Sequence, residues 1–167
     1  MDHPFQLPST TAAVRLTGLL AAVIVIVAGC GSPTGHSGPA PPPDPCTVVT
    51  AGDVARIARL AAPVTTTTAA GPAGEKICEY HAAISGSGAI IAVVRLSHAQ
   101  FDAGRRNAGA QCTDLRIGEA AYACGPTRSA VVNVFVRGLV LSVQVAQAGP
   151  EQPAEIRALA QFAASRF

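Results

Sequence analysis

SAVVNVFVRGLVLSVQVAQ, residues 129–147, is the stretch whose reading decides the fold. Two β-branched runs, 129–137 and 139–147, flank Gly138, a residue free to take the conformation that a tight turn demands. In the second run Leu139, Leu141, Val143 and Val145 alternate with Val140, Ser142, Gln144 and Ala146. That period of two predicts an antiparallel hairpin with one face buried and the other partly polar. A half-apolar sheet needs a cover, and the next segment supplies one. From about Pro153, a good first-turn residue, Ile156, Leu159, Ala160, Ala163 and Phe167 recur at helical spacing.

Working upstream, a short strand is expected near 119–124. Two further runs, 77–82 and 89–96, are joined by Ser85-Gly86-Ser87-Gly88, whose glycines suit a hairpin connection. Between these groups Ser97 and Gln100 form a capping box for a short helix anchored by Phe101 and ending near Gly109, with Asp102, Arg105 and Arg106 on its wet side. Thr50 and Asp53 make the acidic variant of the same box, with Val49 placed to staple onto Val54. A helix should therefore start at Ala51, carry Val54, Ile57, Ala58 and Ala61 as its stripe, and stop at Pro63. Residues 64–76 hold four successive threonines and Gly/Pro breaks with little to bury, so they are expected to form a mobile loop. The order predicts an α+β domain: a largely antiparallel sheet of about five strands packed with about three helices.

The amino-terminal third reads differently. Residues 16–29 are uncharged and only 14 long, short of the roughly 20 that a transmembrane helix needs. They end in Val27-Ala28-Gly29-Cys30, and Arg15 is the strong positive charge before them, which describes a signal-peptide core. The tetrapeptide resembles the lipobox of bacterial lipoproteins. The resemblance implies cleavage before Cys30, diacylglycerol on its sulfur and a further acyl chain, palmitate, on the new amino terminus. Several chains, at ~0.8 kcal/mol per buried methylene, would anchor the protein firmly to membrane lipid. Residues 1–29 are thus expected to be a signal peptide and 30–43 a tether. The run GSPTGHSGPAPPPDP at 31–45 has no apolar periodicity, and its His36 reads as solvated. In polyproline II form the tether would lift the domain up to about 45 Å from the bilayer. Residues 44–167 would form a single extracytoplasmic domain on the outer side of the cell membrane.

Of 12 basic and 10 acidic side chains, Arg15 and Asp2 leave with the signal, so a small positive balance without a basic run remains. Nucleic-acid binding is unsupported. Besides Cys30, the four cysteines Cys46, Cys78, Cys112 and Cys124 lie in an exported chain where thiols pair. Of three pairings, Cys46 with Cys78 and Cys112 with Cys124 is favoured, because each half of the domain then carries one staple and the loops do not cross. Loops of these lengths give roughly 3 to 4 kcal/mol by chain entropy. Zinc would need close ligand pairs such as C-x-x-C, which are absent, so no metal and no cofactor are expected.

Asp44-Pro45-Cys46 leading into Thr50-x-x-Asp53-Val54, the Cys78-x-Tyr80 strand, and Gly118-Glu119-Ala120-Ala121-Tyr122 before a Val-rich hairpin carry a second resemblance. Over about 44–167 the chain resembles small actinobacterial lipoproteins grouped as a domain of unknown function. More distantly its layout is similar to the extracellular sensor domain of a mycobacterial serine/threonine kinase. The resemblance implies a disulfide-stapled extracytoplasmic domain without catalytic residues, and the kinase comparison implies a ligand-binding cleft.

Chemistry-bearing residues are few. Glu79 and His81 should share one strand face, as an acid/base pair or half a metal site, against the plainer reading of a polar strand face. His98 reads as a surface residue at a helix start. Ser85-Gly86-Ser87-Gly88 lacks the strand-to-helix setting of a nucleophile elbow. The reading favoured is therefore a non-enzymatic module that binds a cell-envelope ligand or a partner protein. The alternatives are an envelope-acting hydrolase using Glu79, Asp114 or Glu119, whose convergence in one concave pocket would favour it, and a lipid carrier with a large apolar cavity.

Overall fold

The alternation in the last strand is met by helices on one side and by a single helix on the other. The computed structural model describes residues 40–125, 130–146 and 152–167, all within one unit spanning 35–167. The lipobox, Cys30, His36, the outer ends of the 129–147 hairpin and most of the tether lie outside the described residues.

The chain runs α1 (Pro45–Val48), α2 (Ala51–Ile57), β1 (Val64–Ala70), β2 (Lys76–Ala82), β3 (Gly88–Arg95), α3 (His98–Asn107), a 3-10 turn (Gly109–Gln111), β4 (Cys112–Leu115), β5 (Ala120–Cys124), β6 (Val131–Val136), β7 (Leu139–Ala146) and α4 (Gln152–Arg166). All strands join one sheet in the order β1-β2-β3-β7-β6-β5-β4, every neighbour antiparallel. The first three strands form a meander. The connection through α3 then carries the chain to the far edge, and β4 to β7 return to pair with β3.

The α+β class and the antiparallel sheet are as expected, but seven strands replace five. Residues 64–76 are not a loop: 64–70 form edge strand β1 and 71–75 a tight connection. No side chain of β1 is buried, so it has none of the apolar alternation that marks a half-buried strand. Threonine still favours extended backbone there. The second addition, β4, has four residues and buries only Cys112. A fourth, one-turn helix, α1, is capped by Asp44, whose Oδ1 accepts from the Cys46 amide at 2.8 Å.

Both capping boxes form as expected, at Thr50/Asp53 and Ser97/Gln100. Helix α2 stops well before Pro63. Arg59 turns left-handed at φ 51°, and the Leu60 amide donates back to the Ala55 carbonyl at 3.0 Å, a Schellman closure built without glycine. Between Arg137 (φ 51°) and Gly138 (φ 73°) the β6–β7 hairpin has two consecutive positive angles, the turn whose twist suits paired strands.

Cross-strand register assigns the two faces. On one, Cys78, Ile91, Val143 and Val132 lie in line, flanked by Tyr80, Ala89 and Val145 and by Val93, Leu141 and Val134. All are buried beneath Val49, Val54, Ile156, Leu159, Ala160 and Ala163 of the α1, α2 and α4 layer. The alanines let α4 approach closely, and Val49 and Val54 are both fully buried, as the staple requires. On the opposite face α3 lays Phe101 against Tyr122, Phe135 and Val140, a second and smaller core. Ring centroids of Phe101 lie 5.0 Å from Tyr122 and 5.6 Å from Phe135, within the range where aromatic pairs attract beyond their buried area.

The disulfides are Cys46–Cys78, which clamps α1 onto β2, and Cys112–Cys124, which joins directly opposed residues of β4 and β5. Each half of the domain carries one, the expected pairing. Arg105, expected on the wet side of α3, instead stitches the second half together. Its Nε donates to Asp114 Oδ1 at 2.8 Å, and its terminal nitrogens to the carbonyls of Gly109 and Cys112. A long side chain at a helix end satisfies the following turn because that turn has few internal partners of its own.

Candidate functional site

Helix α3 packs over Tyr122, Phe135 and Val140, with Val94 of β3 at its margin, and among the described residues no helix lies over β1, β2 and the 90–92 part of β3 on this face. Across this uncovered part the register aligns Ala69, Ile77, Ala92, Ser142 and Asn133 in one row, and Thr67, Glu79, Ile90, Gln144 and Val131 in the next. Ile77, Ile90, Ala92 and Val131 are half-buried, whereas Thr65, Thr67, Ala69, His81 and Gln144 are exposed. The patch is thus an apolar strip framed by hydrogen-bonding groups, of which Ser142 Oγ donates to Asn133 Oδ1. A frame of this kind can orient a bound group, and a strip of this kind can bury apolar surface.

Glu79 and His81 do share this face, with His81 Nε2 3.3 Å from Glu79 Oε2 and the side chains 57% exposed at His81 and 35% at Glu79. Among the described residues no group of three His, Cys, Asp or Glu is placed to hold a metal ion. An exposed pair of this kind gives little stability. Asp114 is taken by Arg105. Glu119 serves the β6–β7 turn, where its Oε1 accepts from the Arg137 amide at 2.6 Å and so fixes the left-handed residue, while its own amide donates to Phe135 O. Glu79 and Asp114 stand on strands five places apart in the sheet, about 24 Å at ~4.8 Å per strand. Paired glycosidase carboxylates need roughly 5 to 10 Å. Glu79 and Asp114 therefore do not converge, and Glu79, Asp114 and Glu119 are each held by a different partner.

His98 lies at the start of α3 with its Nδ1 3.0 Å from Asp102 and its ring edge-on to Phe135 at 4.9 Å. Though half exposed, it forms the rim of the aromatic core. Ser85 to Gly88 make the β2–β3 turn: Gly86 has φ 64°, and a Cβ on Gly88 would sit 2.6 Å from the Tyr80 carbonyl. The serines are therefore turn residues.

The most buried carboxylates, Glu75 and Glu155, were not among the sequence candidates. Glu75 closes the β1–β2 connection, with Oε2 accepting from Ala73 N at 2.9 Å and packing where a Cβ on Gly71 would fall. A Gly-x-x-x-Glu spacing between two extended runs was its only trace. Glu155 reaches from the first turn of α4 to Arg59, 3.5 Å away, and fastens the end of α2. Nothing in the sequence marked this pair, since Arg59 and Glu155 meet only in the folded chain.

Beside the patch, at the end of β1, a cleft of about 280 Å³ is lined by Asp44, Thr68, Ala69, Ala70, Lys76 and Ile77. On β2 the buried Tyr80 hydroxyl donates to Val49 O at 2.8 Å with Pro45 O 3.3 Å away. Burial, reinforced by the Asp44 and Asp53 carboxylates, holds this phenol far above its usual range. Tyr122 is also raised by burial, against the pull of Arg105. Asp53 is lowered chiefly by its hydrogen bond from the Thr50 hydroxyl, partly offset by burial.

Fold and site together define the class as a disulfide-stapled, antiparallel α+β domain with one sheet face half covered. No family model, no curated protein and no solved structure matches the chain. Among the described residues no helix is long and apolar enough to cross a membrane.

Proposed function

We propose that this chain is a lipid-anchored extracytoplasmic binding module, held to the membrane through acylated Cys30, which meets a cell-envelope ligand or partner protein on its uncovered sheet face. The observation that carries this reading is the incomplete cover over the α3 face. An apolar strip of Ile77, Ile90 and Ala92 lies between rows of hydroxyl, amide and carboxylate groups, next to a fully packed core on the other side. The family resemblance of the Asp44-Pro45-Cys46 opening, with its implied disulfide-stapled lipoprotein domain, supports the same address. The hydrolase reading draws no support from carboxylates about 24 Å apart. A lipid carried between the sheet and α4 would have to displace Leu141, Ile156 and Leu159, all fully buried.

The test is site-specific photocrosslinking from the full chain in its native membranes. A photoreactive residue at Ile90 should yield a discrete adduct that the same residue at exposed Arg157, on α4, does not. Identical adduct patterns from both positions, or none from Ile90, would refute the assignment of the site.

A further inference from the structure

Strand β1 is the one long edge of the sheet, and nothing in its own sequence blunts it. Its seven residues, VTTTTAA, carry no charge, no proline and no glycine. Thr65 to Ala70 are exposed on both faces, although α1 and α2 touch the strand and Cys46 Sγ lies 4.0 Å from Thr67 O. The other edge is closed by different means: β4 has only four residues, bears Asp114, and is tied to α3 by Arg105. Natural sheets ordinarily protect a long edge with charge, proline or a bulge.

The free groups can be assigned. Gly71 N donates to Glu75 O and Ala83 N to Pro63 O at the two ends of the β1–β2 pair. Antiparallel ladders alternate bonded and non-bonded pairs, so the odd-numbered Thr65, Thr67 and Ala69 exchange bonds with β2. Val64, Thr66, Thr68 and Ala70 therefore aim their N–H and C=O groups away from the sheet.

We infer that this edge pairs with β1 of a second copy of the chain, antiparallel about a two-fold axis at Thr67. That register sets Val64 opposite Ala70 of the other copy and Thr66 opposite Thr68, so every outward-facing residue enters a bonded pair and about eight main-chain hydrogen bonds form. It also sets threonine opposite threonine at all three central positions, a favourable cross-strand pair, and brings no like charges together. The cleft of Asp44 and Lys76 borders the strand at Thr68, Ala69 and Ala70; what favours a second copy is the uncharged, self-complementary register itself. Pairing through one strand buries less than the roughly 1,200 Å² of a standard interface, so the dimer is weak and exchanging and is best trapped covalently.

Thr67→Cys in the full chain, in membranes under mild oxidation, should give a disulfide-linked dimer, because the two residues at the axis form a non-bonded pair with Cα atoms about 4.5 Å apart. Thr66→Cys should not, since its two copies stand diagonally, about 7 Å apart or more, at the limit of what a disulfide spans. Adding Thr68→Pro to Thr67→Cys should abolish the dimer while leaving the monomer folded by circular dichroism, because the lost N–H faces outward and has no partner among the described residues. A Thr67→Cys chain that stays monomeric, equal linkage from positions 66 and 67, persistence of the dimer with Thr68→Pro, or linkage to a different protein would each overturn the inference.

Discussion

Tyr80 is the residue on which the amino-terminal half turns. Fully buried, it takes a place in the core with its ring and ties α1 to the sheet with its hydroxyl, next to the Cys46–Cys78 bond. Tyr80→Phe should lower stability by about 1 to 3 kcal/mol, the usual cost of leaving a buried carbonyl without its donor, and urea unfolding measures it. The phenol's folded pKa lies above its ordinary value of 10.0, so the neutral form is favoured on folding. Its contribution is fully present below pH ~10 and is lost as pH rises above that value. The wild type should therefore lose stability at alkaline pH more steeply than the Phe variant; parallel profiles would exclude Tyr80 as the source. The run at 77–82 predicted a strand here, but not that the Tyr80 hydroxyl met Val49, because that contact joins residues 31 apart.

At the scale of elements, β7 is the keel of the sheet, paired on both sides with long strands. Val143 is fully buried, and Gln144, next to it, is exposed. Val143→Asp should unfold the domain, since an unpaired buried charge costs several kcal/mol, comparable to a small domain's whole stability. Gln144→Ala should shift the melting temperature little. Equal melting temperatures would mean that the strand faces are inverted. The periodicity made β7 and α4 legible, and the capping boxes fixed the starts of α2 and α3. Strand β1 was illegible for the opposite reason: an edge strand buries nothing, so its sequence records only threonine's preference for extended backbone.

For the whole molecule, the proposed anchor would decide where the fold works. Cys30 lies outside the described residues, and its lipidation belongs to the proposal. Cys30→Ala should leave the precursor unprocessed and remove the chain from the detergent phase in phase partitioning, because no other thiol stands at a lipobox; a mature acylated Ala variant would refute the anchor. The domain disulfides are indifferent to that change, since Cys46–Cys78 and Cys112–Cys124 leave no domain thiol over.

By itself the sequence determined those features whose causes are local. Alternation specified strands, helical spacing specified α4, side-chain oxygens three residues before an amide specified helix starts, and an even set of cysteines specified two staples. The tertiary structure alone decided how the two hairpins join through β3 and β7, and so sent β4 to the far edge, opposite β1. It also decided that Arg105 would bind Asp114, that Glu119 would hold a turn 18 residues away, and that α3 would cover only part of its face. Those outcomes depend on contacts between residues distant along the chain, whose energies exist only once the layers have packed.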